Sequence, residues 1–410
     1  MGGRVSSIFH PSIAFAAHDG AGSGAGNMAP SAPAADDNGR PTDPPPGGDY
    51  DYRRIGGPGV AVTAQTERGG WVSSERSTGG LGVRYSGPEA DTPHSPLPWN
   101  DSDTGNVVSQ GLIPPIKPLL HLHLRDTIIC LGGDGFYYMT GTTGDNIWRS
   151  NAGIELWRSN DLKNWDYLGL VWSIERDGGW EKTWRMRMGV PFRSVWAPEL
   201  HYIKGNYYIC HSVSRAGLAI LKSTTGKAEG PYVHAFSPDA PLRGGIDATL
   251  FADDDGSVYL TYGPGAEMVR LKDDMSGYDG EWTPVVFETP DHNPENHHRK
   301  CGRNGFNDLG FEGVTMFKHD GKYYLCVVDR FANDRYSFAI ANADSPFGPY
   351  RGRYEGVPGG GGGNIFRDKE GRWWCTFFGN DDQAPFREKP AIVPAKIDSD
   401  GRLVPDFEPR

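Results

Sequence analysis

Gly135-Phe136-Tyr137-Tyr138 returns four more times along the chain, as Gly205-Asn206-Tyr207-Tyr208, Gly256-Ser257-Val258-Tyr259, Gly321-Lys322-Tyr323-Tyr324 and Gly371-Arg372-Trp373-Trp374. Each copy is a turn glycine, a variable residue and a residue pair suited to a strand, with Asp, Lys or Glu ahead of the glycine as a tight hairpin turn allows. The glycines lie 70, 51, 65 and 50 residues apart. From Leu119 onward the sequence around them is short β-rich runs broken by Gly, Asp and Pro, with almost no helical period. Five units of about sixty residues suit five four-stranded blades around an axis, whereas a β-sandwich needs no five-fold repeat. The expected fold class is therefore all-β, a five-bladed β-propeller over residues 115–410.

The chain ahead of the repeat differs in character. Its first leucine is Leu81, and Ala, Gly, Ser, Pro and Asp dominate up to Asp51. Such a stretch buries too little apolar surface to offset its ordering entropy, so residues 1–50 read as a flexible Gly/Pro/Ala-rich segment. Residues 51–114 read as an extension with a few strands, for which Val60-Ala61-Val62-Thr63-Ala64 and Gly82-Val83-Arg84-Tyr85 are candidates.

Composition narrows the partners. A formal charge of −11 argues against nucleic acid or an anionic membrane surface as a partner. No apolar run is long enough to cross a bilayer. The first 17 residues, with one Arg, an early Pro and the short run Ile13–Ala17, make an unconvincing signal peptide, and a secreted or periplasmic location is the expectation. Twelve Trp and eighteen Tyr suit stacking on sugar rings as well as a sheet-rich core. The five cysteines show no C-x-x-C spacing, and four of them sit in apolar strand-like runs, so they read as buried free thiols rather than a zinc or redox site. Oligomeric state is not legible.

Counting back nine residues from each repeat glycine reaches Asp126, Trp196, Asp247, Glu312 and Gly362. In a propeller the innermost strand of every blade lines the central channel, so equivalent positions stand at one height around it. Three of the five are carboxylic acids in otherwise apolar or small surroundings, where an uncompensated charge costs several kcal/mol. A single such acid is more simply a turn cap or the partner of an Arg. Three at one register point to chemistry: crowded like charges keep one group protonated as an acid while another stays ionised as a base. Two opposed carboxyls around a bound sugar are what glycosidic cleavage requires. Trp196 would offer a stacking platform or fill the channel.

These residues carry a resemblance. Leu124–Ile129 with Asp134–Thr142, Val195-Trp196-Ala197-Pro198-Glu199, Gly245-Ile246-Asp247-Ala248-Thr249, Phe311-Glu312-Gly313 and Trp373-Trp374 to Asp381 resemble, in order, the blades of glycoside hydrolase family 43. The resemblance covers residues 115–405. It implies inverting hydrolysis of furanosides or pentosides, with Asp126 as general base, Asp247 as modulator of the acid and Glu312 as general acid. Inversion then requires the Asp126 and Glu312 carboxyls to lie about 6.5–9.5 Å apart. It also implies that Arg387 contacts sugar hydroxyls, against a plain salt bridge. Two departures stand out. Thr127 replaces the proline that usually follows the base, which loosens the local backbone. The fifth blade has Gly359–Gly363 and Asn364 where many relatives carry a histidine that helps hold a central calcium, so no cofactor is expected to be required, no metal ligand is assigned, and a structural calcium in the channel is in doubt.

Two further segments bear on specificity: an insertion from Trp172 to Pro191 with Trp180, Trp184, Arg185 and Arg187, and a His/Arg-rich stretch from Asp291 to Phe306. Both read as loops walling the channel, which favours exo action on an oligo- or polysaccharide. The expectation is an exo-acting α-L-arabinofuranosidase. Alternatives are a β-xylosidase, galactofuranosidase or arabinanase of the same fold, or a non-catalytic carbohydrate-binding propeller. A retaining, fructoside-cleaving propeller lacks its signature residues here.

Overall fold

The computed structural model describes residues 107–144, 150–183, 193–214, 216–288 and 309–410, together with the backbone of short strands at 71–74, 82–85, 186–187 and 190–191. The expected flexible segment 1–50, the candidate strand 60–64, Cys301 and the His/Arg-rich stretch 291–306 lie outside those residues. Of the two candidate strands in the extension, Gly82–Tyr85 is a strand, paired antiparallel with Trp71–Ser74.

Five four-stranded antiparallel sheets, each a simple meander, form the blades. Their innermost strands are Leu124–Leu131, Val195–Ile203, Ala248–Ala252, Glu312–His319 and Ile365–Arg367. The second strands run Tyr137–Thr143, Asn206–Val213, Val258–Tyr262, Lys322–Arg330 and Trp373–Phe377. Each is the strand that its repeat motif begins or immediately precedes. Blades pack face to face, so both sides of such a strand are covered, and all seven residues of Tyr137–Thr143 are buried. That explains why these runs lack the apolar–polar alternation of a half-solvated sheet. The outermost strands, such as Arg351–Glu355, carry the exposed residues.

The apolar core is divided among the seams. Tyr138, Trp172, Val195 and Ile209 fill the seam between blades 1 and 2, and Tyr208, Ile220, Leu250 and Leu260 that between blades 2 and 3. Phe251, Met268, Leu325 and Val327 fill the next, and Val328, Cys375 and Phe377 the one after. Val107 and Ile113 join that fourth seam, so the chain enters the propeller core by residue 107. Each large side chain so buried contributes about 1.5–3 kcal/mol.

The last seam closes the ring. All four strands of blade 5 come from the C-terminal end and all four of blade 1 from 124–173, so no strand is shared across it. Phe366 and Trp374 pack on Ile129, Met139 and Trp157. Polar contacts do the rest. Glu388 takes the Arg125 guanidinium at 2.6 Å and His123 Nε2 at 2.5 Å, while Arg125 also donates to Asn380. Asn364 bridges by its side-chain amide to both the N–H and the carbonyl of Ile129. Burial pushes the Glu388 carboxyl up, but His123 and Arg125 more than reverse this and hold it well below the usual carboxylate range.

Candidate active site

The repeat glycines sit in two kinds of hairpin. In blades 2 and 4 the turn has two residues, Lys204-Gly205 and Asp320-Gly321, all four at positive φ as a type I′ turn requires. In blades 1, 3 and 5 five residues separate the strands, and the glycine is the fourth of them. The same two hydrogen bonds close each of these longer loops. In blade 3 the N–H of Asp253 donates to the carbonyl of Ser257, and the N–H of Gly256 donates back to the carbonyl of Asp253.

This difference corrects the register argument. At the channel end of every innermost strand one residue adopts the left-handed conformation: Asp126 (φ 52°), Ala197 (42°), Asp247 (55°), Gly313 (65°) and Gly362 (79°). In the odd-numbered blades it lies nine residues before the repeat glycine, and in blades 2 and 4 it lies eight before. Blades 2 and 4 have a longer inner strand and a shorter loop, and the two changes nearly cancel in the count. Asp126 and Asp247 are therefore equivalent. Trp196 and Glu312 each stand one residue ahead of the equivalent position, and a one-residue step along a strand turns the side chain to another direction. Non-glycine residues pay for left-handed backbone, Asp and Asn least because their short side chains can bond locally.

Contacts around the axis draw these positions together. Thr142 Oγ1 donates to Asp126 Oδ2 at 2.6 Å and accepts the N–H of Ala197 at 2.7 Å, joining blade 1 to blade 2. Asp247 Oδ2 accepts the N–H of Gly313 at 3.0 Å, joining blade 3 to the residue after Glu312. A Cβ on Gly313 would stand 3.3 Å from Gly362 Cα, and one on Gly363 would stand 2.6 Å from the Thr127 carbonyl, which brings the ring back to blade 1. Three carboxyls thus share one end of one channel: Asp126 is half-buried, Glu312 is buried, and Asp247 is half-buried.

Trp196 is only 7% exposed, which suits a channel wall better than an open stacking face. Arg387 follows the fifth-blade strand and pairs with the exposed Asp382 at 2.5 Å. Desolvation pushes the carboxyl of neighbouring, half-buried Asp381 up, against the backbone N–H groups of Tyr336 and Gln383 and the charges of Arg330 and Arg387 that pull it down.

The sequence pattern missed two things. Tyr336, at the channel end of the third strand of blade 4, donates its hydroxyl to Glu312 Oε1 at 2.8 Å. No repeat position or motif marks it. The insertion also begins later than the sequence suggests: Trp172 belongs to the outer strand Asp166–Ser173 of blade 1 and is fully buried. The insertion proper is pinned by Glu181, itself fully buried, which meets His234 at 2.8 Å and His211 at 3.5 Å. Trp184 and Arg185 fall outside the described residues, and only the backbone of Arg187 is described.

A calcium at the fifth-blade stretch Gly359–Gly363 and Asn364 can be set against the residues there. Gly362 has no room for a side chain, with Phe378 and Tyr336 within 3.0–3.2 Å of where a Cβ would sit, and Asn364 is spent on Ile129. Among the described residues no cluster of three His, Cys, Asp or Glu can hold a metal ion, so the residues do not fit a calcium at that place. Cys130, Cys210, Cys326 and Cys375 are free, the last three buried.

A five-bladed propeller with Asp126, Asp247 and Glu312 at the same end of its innermost strands is an arrangement suited to a propeller glycosidase. The sequence model of glycosyl hydrolases family 43 matches residues 116–403, and the chain belongs to that family of inverting glycoside hydrolases. It is 29% identical over 215 residues to a β-D-galactofuranosidase of Aspergillus niger, covering 48% of this chain and 54% of that protein, so it spans about half of that relative. It is 24% identical to an extracellular exo-α-(1→5)-L-arabinofuranosidase of Cellvibrio japonicus, over 61% of this chain and 72% of the relative. Among solved structures, an α-L-arabinofuranosidase of Clostridium thermocellum superposes with a TM-score of 0.51 at 20% identity, over 69% of this chain and 94% of the other. That likeness shows the fold. Among the described residues no helix is long and apolar enough to cross a membrane.

Proposed function

We propose that the chain is an exo-acting α-L-arabinofuranosidase that cleaves terminal furanosyl residues from an oligo- or polysaccharide with inversion. What supports this reading is the set of contacts at one end of the innermost strands: Thr142 between Asp126 and Ala197, Asp247 on the N–H of Gly313, and Tyr336 on Glu312. A furanose is favoured because two relatives from different organisms, at 29% and 24% identity, are named as furanosidases. Export is proposed on the same basis, since the second is named extracellular.

In this reading Glu312 gives its proton to the glycosidic oxygen as the bond from that oxygen to the anomeric carbon breaks. The bond's electron pair stays on the leaving oxygen. A water on the opposite face bonds to the anomeric carbon and passes its proton to Asp126, whose carboxylate is held by Thr142. Asp247 fixes the backbone next to Glu312 through Gly313 and sets the acid's direction. Trp196 walls the site, and Arg387 is the candidate donor to sugar hydroxyls once it exchanges Asp382 for substrate. No calcium is required for these steps.

A panel of arabino-, galactofurano- and xylo-configured aryl glycosides and oligosaccharides tests this. Hydrolysis of the arabinofuranosides, inversion of the first-formed anomer by proton NMR, and losses of about 10²–10⁴-fold in kcat for Asp126→Asn and Glu312→Gln on oligosaccharide are expected. Preference for another sugar would move the assignment to the corresponding xylosidase, galactofuranosidase or arabinanase. Activity on none, or unimpaired variants, would overturn it.

A further inference from the structure

Glu312 is buried, and a hydroxyl that meets its carboxyl comes from two strands away in its own blade. Glu312 pairs in the sheet with Val328 on the second strand, and Tyr336 opens the third strand. Tyr336 is 2% exposed, yet its hydroxyl points to Glu312 Oε1 at 2.8 Å.

The ring is held from every side. The backbone N–H of Tyr336 donates to Asp381 Oδ2 at 2.6 Å, which ties the start of the strand to blade 5. Phe311 and Phe378 meet the ring edge-on, each at 6.2 Å between centroids, and the Arg330 guanidinium lies 4.9 Å from its centroid. Gly362 supplies the space. A Cβ there would stand 3.1 Å from Tyr336 Cε1 and 3.2 Å from its hydroxyl, tighter than packed atoms ordinarily tolerate. The fifth blade's missing side chain and the tyrosine's reach are one arrangement.

We propose that Tyr336 is a positioning residue for the proton of Glu312, a role that rests on reading Glu312 as the general acid. A carboxylic acid can carry its proton on either oxygen and can turn about its terminal bond. A hydroxyl donated to Oε1 makes that oxygen the acceptor, places the transferable proton on Oε2 and stops the turn. The same hydrogen bond strengthens as Glu312 becomes a carboxylate while its proton passes to the glycosidic oxygen, so it favours the transition state over the ground state. Gly362 and Asp381 act through Tyr336, the first by leaving its ring room and the second by holding its N–H.

Tyr336→Phe keeps the ring and removes only the hydroxyl. Its kcat and KM are measured on two substrates of whichever sugar the wild-type enzyme cleaves: a 4-nitrophenyl glycoside, whose leaving group needs little proton assistance, and an oligosaccharide, whose leaving group needs a full proton. The expected result is a loss in kcat of about 10–100-fold on the oligosaccharide. The loss on the aryl glycoside is less than about 3-fold, with KM nearly constant on both. A side chain that merely filled the core would lower both rates together. Gly362→Ala, which crowds the tyrosine, is expected to show the same dependence on leaving group. Equal losses on the two substrates, or wild-type rates on both, overturn the proposal. Glu312→Gln, run alongside, separates the two levels. If it retains oligosaccharide hydrolysis, the acid assignment itself fails; if it loses hydrolysis while Tyr336→Phe matches wild type, only the role of Tyr336 falls.

Discussion

Asp126 and Asp247 stand on left-handed backbone, at φ 52° and 55°, and each accepts a hydrogen bond, Asp126 from Thr142 of its own blade and Asp247 from the N–H of Gly313 in the next. Glu312 stands one residue ahead of its blade's left-handed position, which is taken by Gly313, and it is more deeply buried and held from behind by a tyrosine. Blades 1 and 3 thus aim a short side chain by bending the backbone, and blade 4 aims a longer one by packing and a side-chain donor. The difference suits the two proposed tasks. A base must face water and a modulator must face its partner, whereas an acid has to keep one proton on one chosen oxygen.

The contrast is broken most severely at the link between its two halves. Asp247→Ala removes both the side chain suited to left-handed backbone and the acceptor for Gly313. It is expected to lower kcat about 10²-fold with the fold intact, because small misplacements of a reacting group cost that much. Asp247→Asn keeps an acceptor and tolerates the backbone, so it recovers stability ahead of activity. Steady-state kinetics and urea unfolding of the two variants check this, and equal activity in both would mean that charge alone matters at Asp247.

The ring-closing seam extends the contrast to stability, since it too depends on side chains. Glu388→Gln breaks its pairs with Arg125 and His123 and is expected to cost about 3 kcal/mol near neutral pH, as breaking a buried pair does. Because the folded-state pKa of Glu388 is lowered, its contribution is fully present above the unfolded-state value and fades as pH falls through the acid range. The variant should therefore differ from wild type less at pH 3 than at pH 7 in urea unfolding, and a constant difference would count against this account of the seam.

Blade 1 contains a counterpart to the Tyr336–Glu312 contact. Tyr167 donates to the buried Glu155 at 2.5 Å, and burial pushes that carboxyl up to about 7. Here the sign is opposite. The unfolded chain ionises near 4.5, so stability falls as pH rises from there to about 7 and is flat above. Glu155→Gln is expected to raise stability by about 1–3 kcal/mol at pH 8 and by little at pH 4, with kcat unchanged. Thermal melts at the two pH values measure it. A loss of activity would show that Glu155 is tied to the channel, and its absence isolates what the tyrosine on Glu312 does.

Much of the architecture was legible because propeller blades are local. A hairpin glycine after Asp, Lys or Glu, followed by a variable residue and a pair suited to a strand, is a short-range signal, and it repeats along the chain. Counting from those glycines reaches Asp126 and Asp247 at equivalent positions, but it reaches Glu312 one residue ahead of its own, for a reason invisible in the sequence. The longer strand and shorter turn of blade 4 nearly compensate, so an offset position fell on the expected number. The sequence leaves Arg387 two readings, sugar contact and salt bridge, and the structure shows its ion pair with Asp382. Tyr336 was not legible at all, since nothing within its own strand distinguishes it from a core tyrosine.

The amino-acid sequence alone determined the five-fold repeat and the all-β class, because turn preference and strand period act over a few residues, and it nominated Asp126, Asp247 and Glu312 as candidates. Only the tertiary structure decided the one-residue offset between Asp247 and Glu312, the space that Gly362 leaves for Tyr336, and the side-chain clasp of Glu388 with Arg125 that closes the ring. Those features join groups 24 to 263 residues apart, and such contacts exist only once the blades have packed.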